Sequence, residues 1–288
     1  MIEYKKDNSG VFSNFLRVID WIWYHKYSKC PISINFNAYL DDILKLKNIE
    51  TLNDDVSFST SNWVESESYR LNSKSLVERR LSIPFYDNYN LRGVRGYFYT
   101  NPKIYSEKNF NILRDEFRGL YDNYIQFTDN FLNSEKSNIV DDSKNILGVH
   151  LRYSGHYCHN FHEGPIFINN NFYRDNAEFV AKIFEKGEYE YIYVACDVED
   201  FYYEIFKLIP KEKVLRLNYN RIVGDNDWLE KPNIDMKTEV ENVFYDFFNL
   251  SKTKYLLMSV SNVCFGVLTF NPGLDYEFFP MLNNLHGM

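Results

Sequence analysis

Between residues 145 and 260 strand-like apolar runs alternate with helix-length amphipathic segments, and this alternation narrows the possible folds more than any other feature. NILGVHLR predicts a strand, NAEFVAKIFEKG a helix, YEYIYVAC a strand, VEDFYYEIFKLI a helix, KVLRLN a strand, VENVFYDFFNLSKT a helix and KYLLMSV a final strand. Strands joined by helices of this length pair in parallel, because the chain must cross over to re-enter the sheet from the same end. The expectation is an α/β domain built from βαβ units.

The first of these strands ends unusually. In ILGVHLRYSGHY the apolar run carries His150 and Arg152 two residues apart and then breaks into a polar loop. Side chains two apart in a strand lie on one face, so both point together from the carboxyl end. Open α/β sheets bind their ligands at that end.

The first half is less regular. IEYKK predicts a short strand, DNSGVFSNF a glycine loop, and FLRVIDWIWYHKY a helix whose Phe15, Val18, Ile19, Ile22 and Trp23 keep helical spacing. PISINFN alternates like a strand, and AYLDDILKL is a short helix or an excursion from that strand. Residues 50–103 offer only LSIPFY and GYFYT as strand-like runs. NFNILRDEFRGLYDNYIQFTDNFLNSEK shows an apolar face through Ile112, Phe117, Leu120, Tyr124 and Phe127 and predicts one long helix, which NIVDDSKN ends. That polar turn divides the chain into an N-terminal domain, residues 1–143, and a C-terminal domain, residues 144–288.

Composition excludes some partners. The 288 residues are 45% hydrophobic with a net charge of −8, ample for buried cores and without the basic footprint of a nucleic-acid or anionic-membrane binder. A phosphate-bearing ligand would have to be held by a few placed donors. Cys30, Cys158, Cys196 and Cys264 are widely spaced and form no C-x-x-C pair, so they are expected to be reduced, Cys196 and Cys264 as small core residues. MIEYKKDNSG has no apolar signal core and no later run is suited to spanning a bilayer, which predicts a cytoplasmic protein and leaves peripheral membrane association open.

Four segments resemble one family in order and spacing. GVHLR at 148–152, IYVACD at 192–197 and DFFNLSKTKYLLMSVSN at 246–262 resemble the three C-terminal motifs of the α1,2-, α1,6- and protein O-fucosyltransferases, and SGVFSNFLRVIDWIWYHK at 9–26 resembles their opening glycine loop and helix. The resemblance implies a GT-B fold, two Rossmann-like domains facing a central cleft, with the nucleotide-sugar donor held mostly by the C-terminal domain and the acceptor on the N-terminal side. It implies an inverting, metal-independent transfer, usually from GDP-fucose, with no cofactor.

Chemistry supports the same residues. A nucleotide-sugar diphosphate gains charge as it leaves, and donors aimed there stabilise the transition state more than the ground state. Arg152 fits, because its planar fork grips phosphate oxygens in pairs and stays charged; a structural ion pair is its other reading. His150 is either a donor to phosphate or base, or a core histidine satisfied by a carbonyl. Asp246 can accept together from a guanine ring N–H and amino group, the role the resemblance implies, whereas composition alone favours a solvated helix face. Ser259, Ser261 and Asn262 follow a strand and offer hydroxyls and amides to phosphate oxygens, compatibly with helix capping. The resemblance implies a supporting place for Asp197 at the nucleotide pocket, with an N-cap as the simpler role. Gly10, Ser13 and Asn14 form a loop where glycine permits close backbone approach.

The base that takes the acceptor proton is expected in YSGHYCHNFHEGP, as Glu163 or His156. Related enzymes place an acidic residue soon after the arginine, and here the sequence runs R-Y-S-G. Two other readings follow. The departure suits a non-catalytic nucleotide- or carbohydrate-binding module. His156, Cys158, His159, His162 and Glu163 are also ligand types for zinc, as in a metal-dependent hydrolase, although they lack the H-E-x-x-H order. Trp63, Tyr69, Phe98 and Tyr99 are candidates to line a sugar-acceptor groove.

Overall fold

A computed structural model describes residues 2–4, 12, 15, 16, 18, 19, 22, 32–37, 40–48, 56–61, 107–152, 171–219, 221, 235–259 and 261–279. The chain forms two compact units, residues 1–134 with 265–272, and residues 135–264 with 273–288. The trailing YSGHYCHNFHEGP loop, the glycine loop with Gly10, Ser13 and Asn14, the aromatic residues from Trp63 to Tyr99, and both LSIPFY and GYFYT lie outside the described residues.

In the first unit, strands β1 (Ile2–Tyr4), β2 (Ile32–Asn37) and β4 (Val56–Ser61) form a parallel sheet in the order β1-β2-β4. β4, VSFSTS, escaped the sequence reading because its polar surroundings carry no helix or turn signal to frame it. Of AYLDDILKL the described residues, 40–46, form a turn followed by β3 (Leu44–Leu46). The opening helix holds where it is described: Phe12, Phe15, Leu16, Val18, Ile19 and Ile22 are helical and buried.

The single long helix expected at 109–136 is instead broken into a helix, a strand, a short helix and the start of a 3-10 turn, Glu135–Asn138. Helix α1 (Glu107–Tyr124) stops at β5 (Ile125–Phe127), which pairs antiparallel with β3, and a short α2 (Asp129–Leu132) follows. Thr128 separates them: its hydroxyl accepts the Phe131 amide as N-cap and donates to the Asp42 carbonyl at 2.6 Å. Tertiary pairing with β3 overrides a helical spacing that runs on through Phe127.

The second unit carries one five-stranded, wholly parallel sheet in the order β10-β9-β6-β7-β8, from β6 (Ile146–Leu151), β7 (Tyr191–Cys196), β8 (Val214–Leu215), β9 (Tyr255–Met258) and β10 (Asp275–Phe278). The chain runs outward from β6 through helix α3 (Phe172–Lys186) to β7, then through α4 (Glu199–Leu208) to β8. It then crosses back through α5 (Met236–Leu250) to lay β9 on the other side of β6. This is a mixed α/β, Rossmann-like arrangement whose strand order reverses between β6 and β9.

Period-two alternation sorts the side chains of this sheet. Leu147, Val149, Leu151, Ile192, Val194 and Cys196 share one core with Val180 of α3 and Phe201 and Ile205 of α4. The opposite face carries Gly148, His150, Tyr193 and Ala195, in register across β6 and β7, and Tyr193 bonds to Asp246 of α5. Gly148 is required here: a Cβ would meet Thr253 Oγ1 at 2.5 Å.

KYLLMSV is not the final strand. After it come helix α6 (Asn262–Phe270) and β10, which adds to the sheet edge beside β9. α6, NVCFGVLTF, gives no amphipathic signal because Val263 to Thr269 are all buried, and a helix buried all round has no polar stripe. Its last carbonyls are held by arginines of α1: Arg114 Nε donates to Leu268 at 2.9 Å and Arg118 Nη1 to Phe270 at 2.6 Å. Among the described residues, no helix is long and apolar enough to cross a membrane.

Candidate functional site

The strand order reverses between β6 and β9, and open α/β sheets bind their ligands at such a reversal, beyond the carboxyl ends of the strands. His150 and Arg152 stand at the end of β6, and Ser259, Ser261 and Asn262 follow the end of β9, so the topology brings the two sequence motifs together. The strand ladder continues into this corner, where the Ser259 amide donates to the His150 carbonyl at 2.9 Å.

Ser259 is fully buried, and its side chain turns to protein rather than outward. Its Oγ accepts the Arg152 amide at 2.9 Å and lies 3.4 Å from His150 Nδ1. Arg152 is half-buried, just past the strand. Burial, and then the Arg152 charge, push the His150 pKa down to about 3, so the imidazole is neutral at physiological pH. Ser261 caps α6, its Oγ accepting the Cys264 amide at 3.1 Å. The cap brings the positive end of the α6 dipole to the same corner, the end of a helix that favours anions.

Asp246 occupies neither a solvated face nor an open pocket wall. It is buried, with Oδ1 accepting the Tyr193 hydroxyl at 2.6 Å and Oδ2 the Tyr219 hydroxyl at 2.9 Å. Burial raises its pKa to about 6 against the pull of both phenols and of Arg221. Each carboxylate oxygen keeps a further lone pair.

Arg221 closes this cluster. Its guanidinium donates to the carbonyls of Cys196, Tyr219 and Leu217 at 3.0, 3.1 and 2.6 Å, and lies over the rings of Tyr202 and Tyr219 at 4.4 and 4.1 Å. Tyr202 in turn ties down the end of β7, donating to the Val194 carbonyl and accepting the Cys196 amide. Burial raises the Cys196 thiol pKa, which leaves it an unreactive core residue, as expected of it and of buried Cys264.

Asp197 is half-buried at the end of β7, yet the N-cap of α4 is Val198, without a side-chain cap bond. The capping role expected for Asp197 is therefore not the one it has. Tyr193, Tyr202, Tyr219 and Arg221 were not singled out from sequence. A signal was present, since a tyrosine inside an otherwise aliphatic strand needs an acceptor, and Asp246 on an apolar helix face needs donors.

Among the described residues no group of three or more His, Cys, Asp and Glu side chains is arranged to hold a metal ion. Glu163, His156 and the rest of the histidine-rich loop lie outside those residues, as do Gly10, Ser13 and Asn14.

Several solved structures are similar to this chain. A crystal structure of POFUT1 in complex with GDP-fucose matches at 12% identity and a TM-score of 0.37, over 62% of this chain and 51% of that one. POFUT1 in complex with GDP matches at 13% identity and a TM-score of 0.36 over the same shares, and its apo form at 11% and 0.39, over 80% of this chain and 66% of that one. This chain thus spans between about half and two thirds of the length of those it matches. No family model and no curated protein matches it.

Proposed function

We propose that this chain is a fucosyltransferase-like glycosyltransferase that moves a sugar from a GDP-sugar to a glycan hydroxyl, with inversion and without a metal. The observation that carries this reading is the meeting of Arg152 with the capped N-terminus of α6 at the β6–β9 reversal. A cation and a helix dipole at one corner of the sheet suit a diphosphate, and they belong to the segments whose sequence resembles the fucosyltransferase motifs.

In this reading Arg152 holds the diphosphate and offsets the charge that develops as the glycosidic bond breaks. Neutral His150 gives a hydrogen bond without adding charge. Asp246 reads the guanine edge through its remaining lone pairs or by exchanging the Tyr219 hydroxyl for a base N–H. The acceptor proton goes to Glu163 or His156. Asp197 supports the nucleotide pocket, Asn262 adds a first-turn amide of α6, and Gly10, Ser13 and Asn14 complete the donor loop. The proposed architecture is a GT-B pair, with the donor on residues 144–288 and the glycan acceptor on residues 1–143.

The test is a thermal-shift panel with GDP, GDP-fucose, UDP, UDP-sugars and ADP, each with and without EDTA, followed by an acceptor screen. A ligand that binds the native state raises the melting temperature. Stabilisation by GDP compounds alone, unchanged by EDTA and accompanied by sugar transfer, supports the proposal. Binding without turnover favours the non-catalytic module, to which the R-Y-S-G sequence after β6 also points. No nucleotide response, with destabilisation by EDTA, favours a metal site in the histidine-rich loop.

A further inference from the structure

We propose that Asn242 of α5 is a second base-reading residue, its Nδ2 donating to the ring carbonyl oxygen of the guanine whose N–H groups Asp246 accepts. This deepens the GDP-sugar reading and rests on it.

Asn242, Asp246 and Asn249 make a row of buried polar side chains on α5, at 3%, 7% and 0% exposure. Residues three, four and seven apart share one face of a helix. Two of the three are satisfied. Asn249 bonds to Val140, Lys136 and Tyr245, and each oxygen of Asp246 accepts a tyrosine hydroxyl. Asn242 differs: its Nδ2 is buried and has no hydrogen-bond partner among the described residues. A buried donor without an acceptor carries its full desolvation cost, and such a group in a folded protein needs a reason.

Direction along the helix supplies one. Asn249 meets Lys136 and Val140, which precede β6, so the last turn of α5 lies at the amino end of the sheet. Its first turns therefore lie toward the carboxyl end, where such sheets bind ligands. Asn242 is one turn nearer that end than Asp246. Four helical residues rise about 6 Å and two strand residues about 6.6 Å, which puts Asn242 level with Ala195, the next residue after Tyr193 on that face of β7. Alanine offers the amide no side-chain acceptor, and its neighbour in register on β6 is His150. The unmet donor thus lies on the ligand side of Asp246, at the level of His150.

The chemistry of the base fits. Guanine presents an amino group, a ring N–H and a carbonyl oxygen side by side. A carboxylate takes the two donors and leaves the carbonyl oxygen unmet beside it. An amide one turn along the same helix face, about 5–6 Å away between Cβ atoms, supplies the missing donor. Adenine has an amino group where guanine has the carbonyl, and would set donor against donor.

The test is calorimetric binding of GDP and of 6-thio-GDP, which keeps both N–H donors and replaces the carbonyl oxygen by a weakly accepting sulfur. The natural chain should bind GDP about tenfold more tightly than 6-thio-GDP. In Asn242→Leu, of similar volume and without an amide, GDP should bind about tenfold more weakly and the preference over 6-thio-GDP should vanish. The melting temperature of this variant without ligand should not fall, since Nδ2 has no bond to lose. Should the leucine fail to fold, Asn242→Ala, which adds no volume, is measured in its place. A preference kept in the variant, or a lowered melting temperature with GDP binding unchanged, overturns the inference. A natural chain that prefers GDP to ADP but does not distinguish GDP from 6-thio-GDP keeps the guanine reading and overturns the role of Asn242. Failure of the natural chain to bind GDP removes the guanine reading, and the role of Asn242 with it.

Discussion

Tyr193 of β7 donates its hydroxyl to Asp246 of α5 across 2.6 Å inside the second unit, on the sheet face that also carries His150. Asp246 and His150 are shifted in opposite senses. Asp246 holds its proton up to about pH 6, and His150 does not accept one until about pH 3.

Stability should therefore respond to acid in two opposing ways. Asp246 has a folded pKa raised above its ordinary 3.8, so its contribution is fully present below 3.8 and is lost as pH rises through 6. His150 has a folded pKa lowered from 6.5, so the folded state loses ground as pH falls from 6.5 toward 3. Each effect approaches about 3 kcal/mol by about pH 4, and they largely cancel in the natural chain. Relative to it, Asp246→Asn should lose about 3 kcal/mol between about pH 6.5 and about pH 4, and His150→Gln should gain a similar amount. Urea unfolding across this range, with Tyr193, Tyr219, Arg221, Arg152 and Ser259 intact, measures both. Parallel curves for all three proteins would refute the opposition.

Arg152→Ala should abolish function more than fold. The contact that the structure gives residue 152 to Ser259 runs through its backbone amide, which any residue except proline retains. On the proposed function, loss of the guanidinium should lower sugar transfer on the order of a hundredfold or more, while unfolding free energy changes by about 1 kcal/mol or less. Full activity in this variant would remove Arg152 from the mechanism.

Gly148→Ala should strain the centre of the sheet. The added methyl meets Thr253 Oγ1 at 2.5 Å and Leu256 Cδ1 at 3.2 Å, and overpacking of this kind costs about 1–3 kcal/mol. Thr253→Ala removes the nearest atoms along with the Thr253 bond to the Leu250 carbonyl. The double variant should then be less destabilised than the two single losses added together. Simple additivity in a denaturant double-mutant cycle would argue against the clash.

Asn249→Ala should loosen the segment that leads into β6. The Asn249 side chain accepts the Val140 amide at 3.0 Å and donates to the carbonyls of Lys136 and Tyr245 at 2.6 and 2.8 Å. Loss of these buried bonds should cost about 2–4 kcal/mol and speed proteolysis between residues 135 and 142. An unchanged cleavage rate there would show that other contacts hold the segment.

The sequence by itself determined the elements of the second unit from β6 to β9. Its parallel strands and crossover helices were legible because each buries one side against a layer of the other kind, and such burial leaves a period in the chain. It also marked His150, Arg152, Asp246 and Ser259 as residues out of keeping with their apolar neighbours. Where period and environment part company, the sequence fell short. α6 is buried all round and has no polar stripe, β5 sits within a helical spacing and exists because β3 pairs with it, and β10 is a four-residue edge strand. Tertiary structure alone decided which polar groups face one another. The reversal between β6 and β9 sets Ser259 against His150, and Tyr219 and Arg221, from the segment after β8, meet Asp246 and the end of β7. Hydrogen bonds between residues so far apart in the chain leave no periodic trace, because their partners are chosen by where the sheet order turns and not by spacing along the backbone.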